Sequence, residues 1–180
     1  MAALAAAALL LGPAAARAQS GSWQPRAVFV QAGTGRGTHQ LTLGAAWDWN
    51  WQHALGPGRL SAYWEASASG WSYPREGGGQ TELGLVEITP VLRFRPGDGA
   101  SPWFVEAGIG ATLMTRVYRT DDKHFSSAFN FGDHLAIGRS FGAAQNHEVS
   151  LRIEHYSNGG LKEPNPGENF LQLRYVYRMR

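Results

Sequence analysis

His155 and Ser157 stand two residues apart at the end of a strand-like run that begins near His147. In a strand, residues i and i+2 share a face and lie about 6.5–7 Å apart along the chain. A histidine and a serine so placed can form a base and nucleophile pair, the core of acyl transfer. The face that carries them is apolar on the approach, with Val149, Leu151 and Ile153. The opposite face carries Ser150, Arg152, Glu154 and Tyr156. The pair is therefore in line with a greasy outer surface rather than in a cleft, which points to a lipid ester as substrate.

Acyl hydrolysis needs four parts. Ser157 is the candidate nucleophile, and His155 the candidate base that later protonates the leaving alkoxide. A third group must hold the imidazole in one tautomer. Donors must meet the developing oxyanion. The loop after Ser157 offers the side chains of Asn158 and Asn165 and the backbone N–H groups of Asn158, Gly159 and Gly160. Glycine there permits close approach or a positive φ. By itself His-x-Ser is a common pattern, and the Gly-x-Ser-x-Gly elbow is absent. The elements that position the pair must supply the rest.

The 180 residues suffice for one domain. Residues 1–18 are almost all Ala and Leu and end in Ala16-Arg17-Ala18, the pattern of a secretory signal peptide. The expected mature domain is 19–180. Cysteine is absent, which excludes thiol nucleophiles, thiolate metal sites and a disulfide framework. Net charge is only +2 and the Lys and Arg residues are scattered, so no nucleic acid partner is expected. After Gln19 no apolar stretch reaches membrane-helix length. The remaining classes are a soluble β protein and a transmembrane β-barrel.

Period-two alternation favours the barrel. Between Gln40 and Gln52 one face reads Leu41, Leu43, Ala45, Trp47, Trp49, Trp51, against small or polar residues. From Trp103 to Thr115 one face is Trp103, Val105, Ala107, Ile109, Ala111, Leu113; the other carries Glu106, Gly108, Gly110 and Thr112. Long strands with aromatics gathered at one end fit a lipid-facing band with an aromatic girdle. Strands are expected at 27–33, 39–53, 59–71, 80–95, 102–116, 128–141, 147–157 and 169–180. Short turns at Gly56-Pro57-Gly58, 96–99 and 142–146 alternate with longer connections at 33–38, 71–79, 116–127 and 157–168. The fold class is thus all-β, an eight-stranded antiparallel transmembrane β-barrel, with an interior filled by side chains.

The interior charges Asp48, Glu65, Glu106, Arg152, Glu154 and Arg174 must then pair with one another. Glu87 and Pro90 within the fourth strand predict a bulge there. Gly33-Thr34-Gly35-Arg36-Gly37 is not followed by a helical pattern, so it reads as a hairpin and not a phosphate loop. His39, His53, His124, His134 and His147 lack ligand spacing; neither a metal nor a cofactor is expected.

The segment His155-Tyr-Ser-Asn-Gly-Gly-Leu-Lys-Glu-Pro-Asn-Pro-Gly-Glu-Asn-Phe-Leu-Gln-Leu-Arg-Tyr175 resembles the signature of the PagL family of outer-membrane lipid A 3-O-deacylases. Elsewhere the likeness is in length, signal peptide and strand pattern. The resemblance implies hydrolysis of the ester-linked 3-hydroxyacyl chain at position 3 of lipid A by a Ser-His-acid site on the outer barrel surface. It implies His155 as base, Ser157 as nucleophile, lipid A or lipopolysaccharide as substrate, and an outer-membrane location among its lipids. Arg36, Arg75, Arg116, Arg119, Lys123 and Lys162, in the expected outer loops, are candidates to meet lipid A phosphates.

The family's acid falls, without gaps, on Asn169; the carboxylate here is one residue earlier, at Glu168. Parity puts Asn169 outward with Leu171 and Glu168 inward. Either Asn169 orients the imidazole, or a local bulge swings Glu168 out to do so. The second is favoured on chemistry, because a carboxylate also stabilises the imidazolium. Two rivals remain: a non-catalytic structural or adhesive barrel, and a barrel phospholipase or acyltransferase. A homodimer covering the outward site is left open.

Overall fold

The computed structural model describes residues 24–179; the expected signal peptide, residues 1–18, lies outside the described residues. Eight strands follow in order: β1 (Ala27–Gly35), β2 (Thr38–Leu55), β3 (Gly58–Pro74), β4 (Gln80–Pro96), β5 (Trp103–Met114), β6 (Phe129–Phe141), β7 (His147–Ser157) and β8 (Glu168–Arg178). Each pairs with the next in antiparallel fashion, and β8 closes on β1. Closure leaves no free sheet edge.

Two solvents write the alternation. In β5 the odd residues are exposed and the even ones buried without a break. In β7 the outward Leu151 and Ile153 are 49% and 62% exposed, while Arg152 and Glu154 between them are buried. Such an apolar exterior around a charged interior is the inverse of a soluble protein.

The charges inside do pair. Glu65 receives Arg152 at 3.3 Å and also Arg174. Glu106 takes Arg93 at 2.6 Å. Arg93 then forks onto both oxygens of Glu148 at 2.8 Å. Asp48 is different: it lies at the short-turn end, half exposed, and pairs with Arg178 at 2.6 Å. Arg93 and Glu148 were not in the expected set, yet their two bonds at 2.8 Å are shorter than those by which Arg152 reaches both oxygens of Glu65.

The bulge expected in β4 is in β2 instead. β4 keeps one register along all of β3, Pro90 opposite Trp64. Toward β5 the ladder skips Thr89 and Pro90 and resumes unshifted at Val91. Pro90 lacks an N–H, so a local gap in one ladder satisfies it without an inserted residue. Glu87 turns inward and accepts from Thr89 Oγ1 at 2.6 Å and Tyr156 Oη at 3.2 Å. The register shift falls between Asp48 and Gln52 of β2, within the tryptophan run.

At the end with the long loops, aromatics close the interior. Trp71, Tyr73, Tyr156 and Phe170 from the strands meet Tyr118 and Phe125 from the loop of residues 115–128. Tyr118 is 1% exposed. That loop folds inward across the mouth rather than standing in solvent.

Candidate active site

His155 and Ser157 are the last two outward positions of β7. Both are partly buried. Below them the face continues through Ile153 and Leu151, flanked by Leu135 and Ile137 of β6 and Leu171 and Leu173 of β8, all exposed. Phe131 stands opposite Ser157 and packs edge-on against Phe129 at 5.2 Å. The serine therefore opens onto a continuous apolar wall.

The register of β7 with β8 is unbroken and sets Asn169 directly opposite His155. Their side chains meet: His155 Nδ1 and Asn169 Oδ1 are 2.7 Å apart. A carboxamide oxygen only accepts, so Nδ1 carries the hydrogen and donates. Nε2 then holds the lone pair, which is what a base toward Ser157 requires.

Glu168 does not swing out. With no bulge in β8 it points inward and is 1% exposed. Its Oε1 accepts from Lys123 Nζ and from the Asn169 N–H, each at 3.0 Å. Its Oε2 accepts from Tyr118 Oη at 3.0 Å. Burial pushes the Tyr118 hydroxyl well above its ordinary range, so it stays a donor. Since that hydrogen goes to Glu168, Thr38 Oγ1 donates to Tyr118 at 2.8 Å. The favoured carboxylate is thus a buttress of the loop, and the imidazole's partner is the amide.

Lys123 also donates to Gly167 O at 2.8 Å. Gly167 has φ +65° and lies against the ring: a Cβ there would be 2.5 Å from His155 Cε1 and 3.0 Å from Nε2. Only glycine fits both the backbone and the approach. Sequence reasoning passed over Gly167, although a glycine directly ahead of a strand was a signal.

The loop of residues 158–167 is organised by Asn158. Its Nδ2 donates to Lys162 O at 2.7 Å and Ser126 Oγ at 2.9 Å, and its Oδ1 accepts from the Gly160 N–H at 2.9 Å. Its own N–H donates to Asn165 Oδ1 at 3.0 Å. So the Asn158 amide and the Gly160 N–H, expected as oxyanion donors, are spent within this loop and on Ser126 of the loop at 115–128. For Asn165 the same bond commits Oδ1 and leaves Nδ2 as the end that can donate. Of the loop cations, Arg36, Arg75, Arg116, Arg119 and Lys162 are exposed, whereas Lys123 is committed to Glu168.

The comparisons agree with this architecture. The family described as Lipid A 3-O-deacylase (PagL) matches residues 39–178. Lipid A deacylase PagL of Pseudomonas aeruginosa is 37% identical over 145 residues, which are 79% of each chain. Lipid A deacylase PagL of Bordetella bronchiseptica is 36% identical over 153 residues, 84% of this chain and 82% of that one. A crystal structure of the outer membrane enzyme PagL superposes with a TM-score of 0.71 at 29% identity, covering 85% of this chain and 99% of that one. The chain belongs to the PagL family of lipid A 3-O-deacylases.

Proposed function

We propose that the protein lies in the bacterial outer membrane and hydrolyses the ester-linked 3-hydroxyacyl chain at position 3 of lipid A. As a family member it is an ester hydrolase, and deacylation of lipid A is its reaction. Strands of nine to eighteen residues meet the about 9–11 that a tilted strand needs to cross a bilayer. The observation that carries the site assignment is the 2.7 Å contact of His155 Nδ1 with Asn169 on an apolar, outward face.

The acyl chain lies along the wall of Leu151, Ile153, Leu171 and Leu173. Ser157 Oγ attacks the ester carbonyl and gives its proton to His155 Nε2. The C–O bond to the sugar breaks, and the alkoxide takes that proton. Water, deprotonated by the same nitrogen, then releases the acid from Ser157. Asn165 Nδ2 is the donor assigned to the oxyanion. Asn158 and Gly160 hold the loop that presents it.

The test is mass spectrometry of lipid A from cells expressing wild type, Ser157→Ala and His155→Ala at matched membrane levels. Loss of one 3-hydroxyacyl chain in wild type alone supports the reading. Unchanged lipid A in all three, in membranes and in detergent, would leave a structural barrel.

A further inference from the structure

One carboxylate interrupts the apolar exterior beside the site. Asp133 of β6 stands directly opposite His155 of β7 in the register, and both occupy outward positions. Opposed residues of an antiparallel pair have Cβ atoms about 4.5–5.5 Å apart. On its other side Asp133 faces Ile109 of β5, and its outward neighbours along β6 are Phe131 and Leu135. A charge among such residues is costly to desolvate, so its position opposite His155 calls for a reason.

The reaction supplies one. When His155 takes the serine proton the ring becomes a cation. Asn169 fixes the tautomer but carries no charge to answer it. Lys123, bound to Gly167 O beside the ring, is paired with the inward Glu168, so these two charges offset each other. Asn169 bonds the ring from β8, and Asp133 is the residue opposite His155 on β6.

We propose that Asp133 is a positioning residue whose carboxylate stabilises the imidazolium of His155. Two strands then share the work of a single triad acid: β8 sets the tautomer and β6 supplies the charge. This rests on the ester-hydrolase reading above. The proton passes from Ser157 to Nε2 and on to the leaving alkoxide, and Asp133 exchanges none.

The experiment measures release of 3-hydroxy fatty acid from lipid A by the purified barrel in detergent micelles. Asp133→Asn keeps the shape and removes the charge; kcat should fall about 10- to 100-fold with KM unchanged. Asp133→Glu should recover part of the rate. Asn169→Asp added to Asp133→Asn returns a charge from the other side of the ring and should recover most of it. A purely structural Asp133 would not respond to that transfer. Wild-type kcat in Asp133→Asn, or no recovery in either rescue variant, overturns the proposal while wild type still outpaces Ser157→Ala. Equal inactivity of wild type and Ser157→Ala overturns the hydrolase reading, and this inference with it.

Discussion

His155 and Asn169 face each other across β7 and β8, and a 2.7 Å hydrogen bond joins Nδ1 to the amide oxygen. This bond selects the tautomer with its lone pair on Nε2. Asn169→Leu keeps the branching at Cγ and deletes the acceptor. The ring is then free to hold its hydrogen on either nitrogen. We expect kcat on lipid A to fall about 100-fold, within the range for misplaced general bases. Asn169 is exposed, so heat-induced unfolding should be nearly unchanged. Equal kcat for Asn169→Leu and wild type would show that the amide does not orient the base.

Gly167 makes a second, steric demand. Its φ of +65° already disfavours any side chain, by roughly 1–2 kcal/mol. An alanine Cβ would also overlap the imidazole at 2.5 Å. Gly167→Ala should therefore push His155 out of line with Ser157. The expected signature is a drop in kcat with little change in KM, because the apolar wall that holds the acyl chain is untouched. Steady-state kinetics in detergent, alongside the folded fraction on a gel, separates this from misfolding.

The barrel itself was legible because alternation is local: each outward Leu or Ile and each inward charge follows the strand's own period. Register is not local. It depends on turn geometry and on the neighbouring strand. So the fit of Asp133 to His155, set through the turn at 142–146, could not be read along the chain. The register shift at Asp48 likewise depends on β3. Pro90 misled for the converse reason: its missing N–H is absorbed by one skipped rung. Glu168 misled because the favoured chemistry ignored where its own strand points it. Nor did a polar-looking loop announce that Tyr118 and Phe125 would turn inward and bring Lys123 to Glu168.

That Lys123–Glu168 pair predicts a test of the loop scaffold. Glu168 is buried, so removing its cation leaves an uncompensated charge, a cost of about 3–5 kcal/mol. Lys123→Met should loosen the loops at 115–128 and 158–167, speed their proteolysis, and reduce activity through Gly167. Adding Glu168→Gln removes the stranded charge and should restore part of both. Limited proteolysis of wild type, single and double variants reads the coupling. If the double variant is as labile as Lys123→Met, the buried charge is not what the lysine holds in place.

Arg93 offers the complementary case, a large stability effect with no effect on chemistry. It lies three residues from the short-turn end of β4, whereas the site is at the long-loop end. Its guanidinium bridges Glu106 and both oxygens of Glu148. Arg93→Met would leave buried Glu106 without its cation and Glu148 with Arg95 alone, at 3.7 Å, and we expect about 3–5 kcal/mol of lost stability for breaking such a network from one side. Urea unfolding of the barrel in detergent should show the loss as a lowered midpoint. Turnover per folded molecule should stay at the wild-type value, since neither His155 nor the loop of residues 158–167 touches this network. Adding Glu148→Gln should recover part of the midpoint by removing one of these charges. A fall in turnover that tracks the loss of stability would instead mean that the interior transmits strain along β7 from Glu148 to His155.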